Sequence, residues 1–316
     1  MEFNSYNCFH SALYDILSPH YKNNTNFLIN NRWQFFYSPK TQYTDDLRMV
    51  GEWPMLFDKY YLNLLSDLTG IKVAIVKEEK STFEDFLSIC DAVPSVFFVN
   101  KVNLISKSIS VKRNCVTTII IKDIKDNFFV CRTYDKDLYA LQNIEKSVLY
   151  FDWLNASDYS QINGSKIQIE IPKSIKKEAA LELCQSCIKN SLKQHLNSSK
   201  CKNVFVGIDA INRFSEDIVK WKSLGAQRLI DSSMYLDSAI VQREKFIICL
   251  NDFLHVSCTE ILDKLREICD NWKKLKMILF IIGKREQFDS LIFVQELIRK
   301  VAHDEYYTLK KVLDII

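Results

Sequence analysis

The chain has 316 residues, 47% of them hydrophobic, which is enough for a large core in one or two domains and too much for a disordered chain. Its charged residues, 26% of the total, nearly cancel to a net +3, too mild a balance to argue for a nucleic-acid partner. The longest apolar run, Met277 to Ile282, falls far short of the ~20 residues of a membrane span, and the first residues lack the basic and apolar regions of a signal peptide, so the expected location is cytoplasmic with no membrane partner.

The first element is predicted around Cys8. Asn7 suits an N-cap, and Ala12, Leu13, Ile16 and Leu17 fall at helical spacing, which predicts a helix from Cys8 to about Ser18, stopped by Pro19. A thiol in the first turn faces unpaired N–H groups at the positive end of the helix dipole, which lowers its pKa and readies it as a nucleophile. The competing reading is a small buried hydrophobe, the ordinary fate of a free cysteine. Trp33 to Tyr37 form an aromatic stretch before Pro39, a strand or a pocket wall.

A helical pattern from about Leu56 to Leu68 ends at Gly70, as a C-cap would end it. Val73 to Val76 read as a strand, and Ser81 to Cys90 as a helix opened by a capping box from Ser81 to Glu84. Pro94 leads into a strand, Ser95 to Asn100. Val116 to Asp123 and Phe128 to Tyr134, rich in β-branched and aromatic residues, predict a hairpin turning at Lys125-Asp126-Asn127. Residues 1–155 are thus expected to form an α+β domain.

Asn155 to Ser165 is polar and suits a linker, and Lys166 to Ile171 read as one more strand. Beyond it, Lys176 to Leu192, Phe205 to Trp221, Asp231 to Phe253, Cys258 to Trp272 and Glu286 to Leu309 all show helical spacing, so residues 156–316 are expected to be a mainly helical domain. The lysines at 173, 176, 177, 189, 193 and 200 read as a solvated helix face. Ten cysteines without a dense framework read as reduced thiols. Cys184 and Cys187, followed by His195 and Cys201, lack the second close ligand pair of a structural zinc site, so helix packing is the better account and no metal is expected. Six scattered glycines exclude a dinucleotide fold or phosphate loop, and no cofactor is expected.

The helix opening at Cys8, the apolar strand after Pro94 running into Lys101-Val102-Asn103-Leu104, and the hairpin from Cys115 to Tyr134 together resemble the family of the N-terminal domain of butirosin-biosynthesis protein H. The helical half, including Arg243 and Phe246 to Leu254, is similar in layout to that family's C-terminal half. The resemblance implies a papain-like cysteine-protease-type domain followed by an all-helical one, in a pathway of natural-product assembly. It further implies an acyltransferase that takes an acyl group from a carrier-protein thioester onto the cysteine and passes it to an amine. In the family pattern a His opens the first hairpin strand and an acid on the second orients it.

At those places this chain carries Cys115 and Arg132. Cysteine does not replace imidazole as a base near neutral pH, and no histidine lies between His20 and His195. Of the others, His10 lies about 200° round the helix from Cys8, His20 follows Pro19 in an expected loop, and His195, His255 and His303 read as surface or satisfied core residues. The expected function is therefore that of an accessory protein of secondary-metabolite biosynthesis, catalytically degenerate, that binds an acyl or peptidyl carrier protein or an active paralogue. The alternative is a working amide-forming acyltransferase with Cys8 as nucleophile.

Overall fold

The structure, a computed structural model, describes residues 8–21, 24–38, 49–51, 59–77, 82–91, 95–100, 116–133, 141–155, 164–197, 199–201, 204–254 and 258–316. The elements begin with α1 (Cys8–Tyr21), α2 (Thr25–Ile29), β1 (Phe36–Ser38), β2 (Met49–Gly51) and α3 (Lys59–Thr69). Next come β3 (Lys72–Lys77), α4 (Phe83–Cys90), β4 (Ser95–Asn100), β5 (Val116–Ile124), β6 (Phe128–Thr133), β7 (Leu141–Glu145), α5 (Lys146–Leu154) and β8 (Ser165–Glu170). The remainder is α6 (Lys177–Asn197), β9 (Ser199–Cys201), β10 (Val204–Val206), α7 (Ile208–Ile218), α8 (Ala226–Leu254), α9 (Thr259–Arg285) and α10 (Leu291–Ile315).

The chain divides into two compact units, one of Met1–Thr25 with Met55–Lys176, the other of Asn26–Pro54 with Lys177–Ile316. Mixed helix and sheet make the fold α+β, and no helix among the described residues is long and apolar enough to cross a membrane.

The first unit is organised on a six-stranded antiparallel sheet in the order β3-β8-β4-β5-β6-β7. Alternation sorts its two faces. On β6, Phe129, Cys131 and Thr133 are buried while Val130 and Arg132 are half-exposed, as a period of two requires. One face packs on α4 and α5 through Phe86, Phe97, Phe129 and Trp153, the Phe86 and Trp153 rings lying 4.9 Å apart. The other face carries α1, which packs on β5.

Two expectations change in this unit. The capping box opening α4 stands one residue later than the sequence suggested: Thr82 Oγ1 accepts from Asp85 N at 3.2 Å, and Asp85 Oδ2 accepts from Thr82 N at 3.1 Å. Residues 165–170 form β8, which inserts between β3 and β4, so this sheet takes its last strand from beyond residue 155.

The second unit is mainly helical but not purely so. Its four-stranded sheet, β2-β1-β10-β9, takes two strands from residues 36–51 and two from 199–206. The helix expected from Phe205 starts only at Ile208, because Phe205 and Val206 pair in register with Tyr37 and Phe36. Gly207 makes the turn between strand and helix with φ +73; a Cβ there would lie 2.2 Å from the His195 carbonyl oxygen. Helices α8 and α9 pack together, tied by Lys276 to Asp237 at 2.5 Å and Lys273 to Glu244 at 2.9 Å, and α10 packs on α6, α7 and α9.

Candidate functional site

Cys8 is the first residue of α1, and the helix around it is set by an apolar face of Phe9, Ala12, Leu13, Ile16 and Leu17, all buried. The first turn of α1 holds no acidic residue. Asp15 follows Cys8 by seven residues, two turns and about 10 Å along the axis. Its Oδ2 accepts a hydrogen bond from Arg132 Nη1 at 2.5 Å, a contact with the carboxylate side chain only 12% exposed and the arginine 34%.

Arg132 is therefore tied to α1 two turns beyond Cys8, as a cation held by a carboxylate. A guanidinium offers only donors, so it neither accepts a proton nor orients an imidazole through an N–H. Lys122 on β5 belongs to the same charged group. Burial lowers its pKa, Asp15 raises it and Arg132 lowers it again, so the three carry a net positive charge in a partly desolvated place. The cross-strand partner of Arg132 is Ile120, fully buried, which fixes this cluster on the α1 side of the sheet.

Cys115, the expected occupant of the histidine position, lies outside the described residues. Cys131, next to Arg132 in sequence, points the other way into the core, and burial pushes its thiol up to about 12. His20 does not sit in a loop: α1 continues through Pro19 to Tyr21, which places His20 about 18 Å along the helix axis from Cys8. His255 lies outside the described residues, and His303 is an exposed residue of α10 with its ring centroid 4.6 Å from that of Tyr307.

The second unit holds a polar cluster that sequence reasoning missed. Glu305, fully buried, accepts from Arg243 Nε at 2.8 Å and Trp272 Nε1 at 2.6 Å on one oxygen. The other oxygen accepts from Trp33 Nε1 at 3.1 Å, Arg243 Nη2 at 3.1 Å and His195 Nε2 at 2.9 Å. The guanidinium also lies over the Trp33 and Trp272 rings, at 4.8 and 5.1 Å from their centroids.

Burial alone would raise the Glu305 carboxyl, but the Arg243 charge and the His195 contact outweigh it and hold the group well below the usual range. Burial lowers His195 by more than its bond to Glu305 raises it, so the ring is neutral, with Nε2 the donor to Glu305. With both carboxylate oxygens saturated and every charged member at 0% exposure, the cluster ties α6, α8 and α10 together and leaves neither carboxylate oxygen free for a substrate. The signal was present in the sequence: Glu305 falls on the apolar stripe Ile298, Val301, Ala302, Leu309, Val312 of α10, where a charge needs a partner.

Among the described residues, no group of three or more His, Cys, Asp or Glu is arranged to hold a metal ion. No family model and no curated protein matches the chain.

Proposed function

We propose that the chain is a non-catalytic relative of the carrier-dependent, amide-forming acyltransferases that its sequence resembles, with a papain-like first unit, acting by binding an acyl or peptidyl carrier protein or an active paralogue. The observation that carries this reading is the Arg132–Asp15 pair: the place of the orienting acid holds a cation, already engaged by a carboxylate of the helix that Cys8 opens. A two-step acyl transfer needs a base that takes the proton of the incoming amine, and His20 lies too far along α1 to serve. The seating of α1 on a strand of an antiparallel sheet supports the papain-like arrangement.

One observation favours the alternative, an active enzyme: Cys8 stands in an acid-free first turn, where the helix dipole favours a thiolate. Incubation with a panel of acyl-carrier thioesters separates the two. The binding reading predicts a complex with the loaded carrier in sedimentation and no acyl group on the protein by intact mass. An acyl adduct on wild type that is absent from Cys8→Ala reverses the assignment.

A further inference from the structure

Within the second unit, Cys184 of α6 and Cys249 of α8 stand 65 residues apart in sequence yet place their sulfurs 3.5 Å from each other, one thiol bonding to the other, with both side chains fully buried. Leu183, Ile188, Phe246 and Leu250, close to them in sequence, are buried as well. Disulfide formation requires the sulfurs to close to about 2.05 Å, roughly 1.5 Å nearer than they stand. We propose that Cys184 and Cys249 are an oxidisable dithiol, which a small peroxide converts to a disulfide that locks α6 to α8.

The reaction balances with hydrogen peroxide as oxidant. One thiol loses its proton to water that enters with the peroxide, and the thiolate attacks a peroxide oxygen; an S–O bond forms, the O–O bond breaks, and the leaving hydroxide takes up that proton as water. The second sulfur then attacks the sulfenic sulfur, forming S–S and breaking S–O, and a second water leaves. Two thiols are oxidised and the peroxide is reduced by two electrons. Contact between the sulfurs makes the second step intramolecular, so the sulfenic acid is captured before further oxidation.

Burial sets the rate. It raises the Cys184 thiol well above its ordinary value, with its hydrogen bond to Cys249 adding to it, so few Cys184 thiolates are present near neutral pH and their attack is slow and accelerates with pH. Cys187, one turn from Cys184 and also buried, is the internal control for selectivity.

The test treats the folded full chain with millimolar hydrogen peroxide at pH 7 and pH 9, then alkylates under denaturing conditions and locates linked peptides by fragment-ion sequencing. The expected product is a Cys184–Cys249 link, 2 Da lighter than the two thiols, formed faster at pH 9 and retained in Cys187→Ser. The linked protein should unfold at a temperature higher by roughly 5 °C or more, because the bond restrains the unfolded chain. Free thiols at both positions after oxidation, sulfinic or sulfonic acids there, or a link joining Cys184 to any other cysteine overturns the proposal. Because the map is read on wild type, it stands even where Cys184→Ser or Cys249→Ser fails to fold.

Discussion

At the scale of single residues, both charged clusters show how position decides what a side chain does. Asp15 bonds Arg132 and acts electrostatically on Lys122, so Asp15→Ala leaves the two cations without their carboxylate in a partly desolvated place; the expected loss is about 1–2 kcal/mol in urea denaturation, against about 0–1 for an exposed pair. The Glu305 cluster is far less forgiving. Glu305→Gln strands Arg243 as a buried, uncompensated charge, at a cost of about 3–5 kcal/mol. Its pH dependence has a definite sign. Both Glu305 and His195 have folded pKa values below their ordinary ones, so at falling pH the unfolded chain takes up protons that the folded one refuses. Stability is complete above about pH 6.5, declines below it as His195 protonates in the unfolded state, and declines further from about pH 4.5 through Glu305. Urea midpoints measured from pH 4 to 8 check this, and His195→Gln should flatten the slope between pH 5.5 and 6.5. An unchanged slope in that variant would show that another group sets it.

At the scale of elements, strong helical periodicity was legible and weak pairing was not. The starts or bodies of α1, α3, α4, α6, α8, α9 and α10 follow from apolar spacing, and β3 to β6 from β-branched and aromatic runs between turn residues. Glu145 and Lys146 join β7 to α5 without a turn residue between them, so nothing in that stretch announces either element, although Leu149 and Trp153 of α5 complete the first core. The three-residue strands β9 and β10 are too short to show a period of two against the helical pattern that follows them; β10 pairs with β1, a partner far away in sequence, and β9 pairs with β10. Gly207 is where this arrangement is most exposed to a single change. Gly207→Ala puts a Cβ against the His195 backbone in a left-handed conformation, and both terms disfavour it; the expected loss exceeds about 2 kcal/mol in thermal or urea unfolding. Full retention of stability in that variant would contradict the packing of the β10–α7 turn on α6.

At the scale of the whole molecule, two units cross over in sequence, which no composition shift marks. Trp33 is read from sequence as part of an aromatic stretch, yet its indole N–H reaches Glu305 and its backbone N–H bonds to Ser191 Oγ at 2.7 Å, so Trp33 belongs to the core of the second unit. A fragment of residues 156–316, cut where the sequence suggested a linker, lacks these groups and should show no cooperative unfolding transition by near-ultraviolet circular dichroism; a sharp transition like that of the full chain would count against the assignment. The candidate site was legible only in outline. Cys8 and the β5–β6 hairpin stand out by residue type, whereas the partner that engages Arg132 depends on the seating of α1 on the sheet, a tertiary fact without local signature. The proposed non-catalytic role of Cys8 is tested most directly by the pH profile of its alkylation. Iodoacetamide labelling of Cys8, followed by mass spectrometry with Cys8→Ala as control, should be slow at pH 6, within a few-fold of free cysteine, and rise about tenfold per pH unit toward pH 8. Fast labelling that is already on a plateau at pH 6 would reveal an ion-paired thiolate and contradict the account.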